Sequence, residues 1–238
     1  MKTASSILAS LVTLFVACVL QAADPKPANR VVAILDIETD DPSGYATWIK
    51  EYNAIAKAKL NIDNYLRVFE SRFDSRPTSA RVRVVTSAVS VAELTKNTEA
   101  LENDPAIRQN VAHMDNIRKL GARVLYQGIY TDGPSYKGAH NYNTLAMVTD
   151  EAGYLQAITR LRGIFDAVGL KDARIIVYRT LAGRTDHSHR ITISTPSSER
   201  LAAFLDLIAS NPQLNEWLAS SAKLRTVVAN TTAREITK

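Results

Sequence analysis

The stretch Asp41 to Asp63, DPSGYATWIKEYNAIAKAKLNID, is answered 109 positions later by Asp150 to Asp172, DEAGYLQAITRLRGIFDAVGLKD. Asp41, Gly44, Tyr45, Ile49, Ile55 and Asp63 return as Asp150, Gly153, Tyr154, Ile158, Ile164 and Asp172. Further along the spacing shortens to 107, and Arg83, Ser87, Leu94, Pro105, Arg118 and Ile129 return as Arg190, Ser194, Leu201, Pro212, Arg225 and Ile236. The chain therefore carries one structural unit in duplicate. That decides architecture and leaves chemistry open.

Each copy reads as βαββαβ. In the first, Val31 to Glu38 is a β-rich run, and Gly44 to Leu60 places Tyr45, Trp48, Ile49, Tyr52, Ile55 and Ala56 at helical spacing. Tyr65 to Phe73 and Arg81 to Ser87 read as a hairpin turning at Asp74 to Pro77. A helical region from Val91 to Leu120 is interrupted at Asp104-Pro105, because proline lacks the amide donor and clashes with the preceding turn. Val124 to Tyr130 closes the unit. The second copy repeats this with strands at Thr144 to Val148, Arg174 to Leu181, His189 to Ser194 and Asn230 to Ile236. Its helices are Tyr154 to Val168 and a broken Ser198 to Leu224. Such a unit folds as a four-stranded antiparallel sheet with both helices on one face, the ferredoxin-like arrangement. The other face is bare and needs a partner.

On element order, on the repeat, and on the helix breaks Asn103-Asp104-Pro105 and Ser210-Asn211-Pro212, the whole chain after its leader resembles the dimeric α/β-barrel superfamily. That superfamily includes the antibiotic-biosynthesis-monooxygenase-like domains. The fold expected is α+β, two tandem ferredoxin-like βαββαβ repeats packed sheet to sheet as an intramolecular dimeric α/β barrel. The resemblance implies a pseudo-dimeric monomer, or a weak homo-oligomer, where relatives dimerise. It brings cofactor-independent oxygenases and haem-degrading enzymes into view, the latter with an Asn, Trp and His set around the barrel. Trp48 and Trp217 fall on predicted helices instead, so the sequence departs from the haem pattern and no cofactor is expected.

Residues 1–23 read as a secretory signal peptide: Lys2, an apolar run from Ile7 to Leu20 too short to span a bilayer comfortably, then Ala22 and Ala23. Its removal takes away Cys18, the only cysteine, and leaves a periplasmic or secreted chain held without disulfides. The first repeat is then 24–130, the linker 131–140 with Gly133, Pro134 and Gly138, and the second repeat 141–238. The net charge of +5 for the full chain falls by one with Lys2, and no basic run marks a nucleic-acid surface. No later apolar stretch reaches membrane-spanning length. Gly-rich phosphate loops, a Gly-x-Ser-x-Gly elbow and a cysteine nucleophile are all missing from the sequence.

Strand alternation assigns the faces. Asp36 and Glu38, Tyr65, Arg67 and Phe69, and Arg83 and Val85 are expected inside the barrel, with Arg174, Ile176, Tyr178, Arg190 and Thr192 from the second repeat. Asp36, Glu38, Tyr65, Arg67, Phe69, Arg83, Tyr178 and Arg190 form the candidate ligand site. Arginines would grip an anionic group of a small organic ligand and aromatics would supply apolar contact. Three readings stay open: such a binding protein, an oxygenase or isomerase using Asp36 or Glu38 as a base, and a filled structural module whose charges pair across the sheets. His187 and His189 share a spacing that can clamp a metal, yet no third ligand is evident, and no metal is assigned.

Overall fold

The structure, a computed structural model, describes residues 30–75, 81–184 and 186–237. The expected signal peptide at residues 1–23 and part of the first hairpin turn lie outside them. The first repeat runs β1 (Val31–Glu38), α1 (Pro42–Leu60), β2 (Arg67–Asp74), β3 (Val82–Ala88), α2 (Val91–Glu102), α3 (Pro105–Asp115) and β4 (Lys119–Asp132). The second runs β5 (His140–Val148), α4 (Glu151–Ala167), β6 (Arg174–Ala182), β7 (His189–Thr195), α5 (Ser198–Ser210), α6 (Pro212–Ser221) and β8 (Arg225–Glu235).

The repeated landmarks turn out to be helix caps and their anchors. Asp41 accepts the Gly44 amide at 2.8 Å and Asp150 that of Gly153 at 3.0 Å, which satisfies an orphan donor at each helix start. A Cβ on either glycine would fall 2.1 or 2.3 Å from the capping carboxylate, so the small residue is required there. Tyr45 and Tyr154, the next residues, are buried and accept from Arg118 at 3.2 Å and Arg225 at 2.7 Å, where the last strand of each repeat begins. Asp104 and Asn211 cap α3 and α6, each followed by a proline in the first helical turn.

The strands lie in the order β2-β3-β1-β4 and β6-β7-β5-β8, and β4 pairs with β6 while β8 pairs with β2. All pairings are antiparallel and the eight strands close into a barrel, so the two repeats are joined by hydrogen bonds at both seams. Closure leaves no strand edge unpaired. Helices cover the outside in two cores. Tyr45, Ile49, Leu101, Ile107 and Met114 pack on Val68, Val82 and Val84 of the first sheet. Tyr154, Ile158, Phe165, Phe204 and Trp217 pack on Ile175, Val177, Ile191 and Ile193 of the second. Each such fully buried side chain contributes about 1.5–3 kcal/mol. A third apolar cluster, Val32, Ile34, Val124 and Tyr126, sits inside the barrel.

Several strand boundaries differ from the sequence reading. β2 starts at Arg67, because Asn61 and Asn64 are left-handed (φ 56° and 50°) and the Asn53 amide grips both the N–H and the carbonyl of Leu66. β4 and β8 begin five residues or so before their apolar stretches, as rim segments whose Leu120, Val227 and Val228 are exposed. β4 also runs on to Asp132 and β5 begins at His140, which leaves residues 133–139 as the connection. Gly133 opens it at φ +97°, with the Ala173 carbonyl 2.7 Å from where a Cβ would stand.

Candidate functional site

Of the eight residues expected at the site, six line two adjoining interior cavities. Arg67, Phe69 and Tyr178 line the larger, of about 70 Å³; Asp36 lines the smaller, of about 20 Å³; Arg83 and Arg190 stand between and line both. One water needs roughly 10–15 Å³ of such space, so the larger cavity holds about five waters or one small molecule and the smaller about one water. Tyr136, from the connection between repeats, borders the larger cavity.

Tyr65 and Glu38 do not belong there. Tyr65 precedes β2 and escapes its alternation; the side chain lies in the helical layer, stacked on Tyr52 at 6.4 Å and bonded to Thr98 at 3.2 Å. Glu38 ends β1 past a register shift in the β1–β4 ladder between Leu35 and Ile37. It meets Lys119 at 3.4 Å on the barrel rim.

The three arginines of the expected site differ in their partners. Arg67 makes a two-pronged ion pair with Glu235 across the β2–β8 seam, 2.7 Å at each contact, and this bond holds its guanidinium above the usual range. Glu235 also accepts the amides of Gly138 and Ala139, so the pair fastens the connection to the barrel mouth. Arg83 is 3% exposed and meets Asp74 at 2.5 Å, Asp36 at 3.2 Å and the Thr231 hydroxyl at 3.0 Å. The Arg67–Glu235 pair joins the two sheets as the filled-module reading expects, whereas the carboxylates that hold Arg83 come from β1 and β2 of its own sheet. Asp36 is thereby engaged as an ion-pair partner.

Arg190 is also buried, at 9% exposure, yet its hydrogen bonds go to neutral groups, Asn143 at 2.9 Å and Thr192 at 3.5 Å, with the Tyr126 phenol beside it on the wall of the smaller cavity. Among the described residues no carboxylate lies within ion-pair distance of it. Burial pushes its guanidinium down from the usual range, and Arg83 pushes the same way. An arginine does not give up its proton in a protein, so this is a buried cation with no ion-pair partner among the described residues and only the more distant pull of Asp36, itself paired with Arg83, a costly arrangement that an anion would relieve. Arg174, on the wall of the same cavity, bonds the Thr131 hydroxyl at 3.2 Å. Burial pushes the Tyr178 phenol up, against the pull of Arg190, Arg174 and Arg67 around it. Asn141, 8% exposed, also borders the cavity, and its buried Oδ1 has no hydrogen-bond partner.

Asn141, Asn143 and Tyr126 were not among the expected site residues. The signal for the two amides lay in the repeat: 109 positions back stand Val32 and Ile34, so two apolar interior positions of the first copy have become amides in the second. Starting β5 at Thr144 hid them.

The two histidines part company. His187 is bonded to Tyr126 at 2.7 Å and to Asp186 at 2.8 Å, whereas His189 faces α4 and meets Glu151 at 2.9 Å. Among the described residues no three His, Cys, Asp or Glu side chains gather to hold a metal. The Asn, Trp and His set of the haem-degrading enzymes is not assembled at the barrel either, among the described residues. Trp217 donates to the Ala157 carbonyl at 2.6 Å and Trp48 stacks on His113 at 4.8 Å, both in the helical layers.

No protein-family model and no curated protein matches the chain. Solved structures do. A protein of Lactobacillus acidophilus NCFM assigned as a monooxygenase superposes with a TM-score of 0.56 at 10% identity, over 86% of this chain and 93% of the other. An anthrone oxidase-like protein gives 0.54 at 14% identity, over 90% and 93%. A mutant chlorite dismutase of Candidatus Nitrospira defluvii gives 0.51 at 8% identity, over 88% and 92%. At these identities the likeness is one of fold, and that fold is the tandem dimeric α/β barrel.

Proposed function

We propose that this tandem dimeric α/β barrel binds a small organic anion, such as a short carboxylate, in the cavity beside Arg190. The observation that carries the reading is the buried Arg190 guanidinium without a carboxylate partner, next to the unpartnered Asn141 amide. Val32, Ile34, Phe69 and Ile176 on the wall suit a short apolar tail. The cavity volume limits the ligand to a few heavy atoms. Thermal unfolding with formate, acetate, nitrate and sulfate, against chloride at equal ionic strength, tests the reading. A ligand present at 100 times its Kd stabilises by about 2.7 kcal/mol, and Arg190→Met is expected to remove that gain. Equal gains in both proteins, or none in either, would overturn the assignment. We further infer from the signal-peptide pattern of residues 1–23 that this binding takes place outside the cytoplasm; the intact mass of the protein recovered from the periplasm or medium, starting at Ala23 or Asp24, tests it, and retention of residues 1–23 would overturn it.

A second reading, a cofactor-independent oxygenase or isomerase, draws on the fold shared with a protein assigned as a monooxygenase and with an anthrone oxidase-like protein. The residue that favours it is Tyr126, whose phenol is hydrogen-bonded to His187 next to Arg190. Asp36 and Glu38 are less suited to be the base, being held by Arg83 and Lys119. Turnover of an anthrone-type substrate by the purified protein, lost in Tyr126→Phe, would establish it.

A further inference from the structure

A hydrogen-bonded chain leads from the barrel mouth to the smaller cavity, which Arg190 separates from the anion site. Asp186 Oδ1 meets His187 Nδ1 at 2.8 Å, and His187 Nε2 meets the Tyr126 hydroxyl at 2.7 Å. His187 and Tyr126 are each 2% exposed, whereas the Asp186 side chain is 36% exposed and is held by Arg184. Tyr126 and Arg190 stand together on the wall of the smaller cavity. A hydrogen-bonded relay thus runs from solvent to the cavity that the buried guanidinium lines.

The direction of each hydrogen bond follows from chemistry. A carboxylate only accepts, so His187 Nδ1 carries a proton. In the neutral imidazole Nε2 is then a lone pair, and the Tyr126 O–H donates to it. The phenol oxygen turns its own lone pairs toward Arg190 and donates nothing to the cavity. A proton on Nε2 reverses this: the imidazolium donates to the phenol oxygen, and the Tyr126 O–H is released to point at an acceptor beside Arg190. One N–H bond forms with a proton from solvent, and Tyr126 keeps its own proton.

We propose that binding of an anion at Arg190 is coupled to uptake of one proton by His187, with Tyr126 as the hydrogen-bond donor that this proton switches on. The proposal rests on the anion-binding reading above and adds a residue and a control to it. The charged and titratable groups around His187 are Asp186 and Arg184 from the β6–β7 hairpin, Tyr126 from β4 and Arg190 from β7, with Asp36 of β1 and Arg83 of β3 across the smaller cavity. Burial holds the imidazole below its usual range; Asp186 opposes this, and Arg184 and Arg190 add to it. The empty site therefore keeps His187 neutral at neutral pH. A bound anion offsets the arginines and favours the imidazolium.

Calorimetric titration of the full chain with formate, an anion that stays ionised from about pH 5 to 8, reads the coupling directly. Buffers of different ionisation enthalpy count the protons. Uptake is expected to approach one proton per formate, with affinity rising up to about tenfold for each pH unit lowered. In His187→Gln, formate should still bind, with no uptake and no pH dependence. In Tyr126→Phe the gain at acidic pH should vanish, a loss of about tenfold there. His189→Gln should behave as the parent. Imidazole ¹⁵N signals supply a second measurement: the His187 titration midpoint should rise when formate saturates the protein. Binding without proton uptake, or uptake that survives in His187→Gln, overturns the coupling and leaves the anion site standing. Failure of formate to bind at all overturns the anion reading, and the coupling with it.

Discussion

Arg83 and Arg190 hold the same place in the two repeats. Each sits on the inner face of the third strand of its unit, with an aromatic residue as cross-strand neighbour, Phe69 for one and Tyr178 for the other. The difference lies on the opposite side, where Asp36 faces Arg83 and Leu145 faces Arg190 in the same register. With Asp74 added, the first guanidinium is doubly neutralised; the second is left to Asn143 and Thr192. Duplication has preserved a buried cation twice, and the partner across the ladder decides whether it braces the barrel or is available to a ligand.

The largest expected effect separates the two at once. Arg83→Met strands Asp36 and Asp74, and urea unfolding should show a loss of about 3–5 kcal/mol. Arg190→Met removes a buried charge without stranding another, so the same measurement should show stability unchanged or raised, by up to about 4 kcal/mol. Equal losses in both would erase the distinction. A subtler change would make the halves alike: Leu145→Asp places a carboxylate across from Arg190, as Asp36 stands across from Arg83. That variant should keep its fold by circular dichroism and lose the stabilisation conferred by small anions. The smallest effects should be symmetric. Tyr45→Phe and Tyr154→Phe each remove a hydrogen bond from Arg118 or Arg225, at about 1 kcal/mol apiece, with no change in anion response.

Much of this was legible in the sequence, and the exceptions have physical causes. The repeat located the helices and the hairpins, and its landmarks Asp41-Gly44 and Asp150-Gly153 proved to be caps, local chemistry that depends on no distant residue. Alternation placed Arg67, Phe69, Arg83, Tyr178 and Arg190 inside, since a two-residue period carries through any regular strand. It failed at Tyr65, which a left-handed Asn64 separates from β2, and at Glu38, beyond a shift in register. What alternation could not supply was charge balance. Glu235 neutralises Arg67 from 168 residues away, and Asp74 reaches Arg83 only once the hairpin is folded. Tyr126 and His187 are likewise 61 residues apart and meet only because β4 pairs with β6 across a seam.

The connection at residues 133–139, fastened by Glu235, has a consequence for assembly. Two separate ferredoxin-like chains must find each other, and their barrel would dissolve on dilution. Here the halves are held at an effective concentration on the order of millimolar by a short tether, so closing the second sheet onto the first is a first-order event. Opening the chain within residues 133–139 would turn it into a complementing pair, with a midpoint of unfolding that moves with protein concentration where the intact chain's does not.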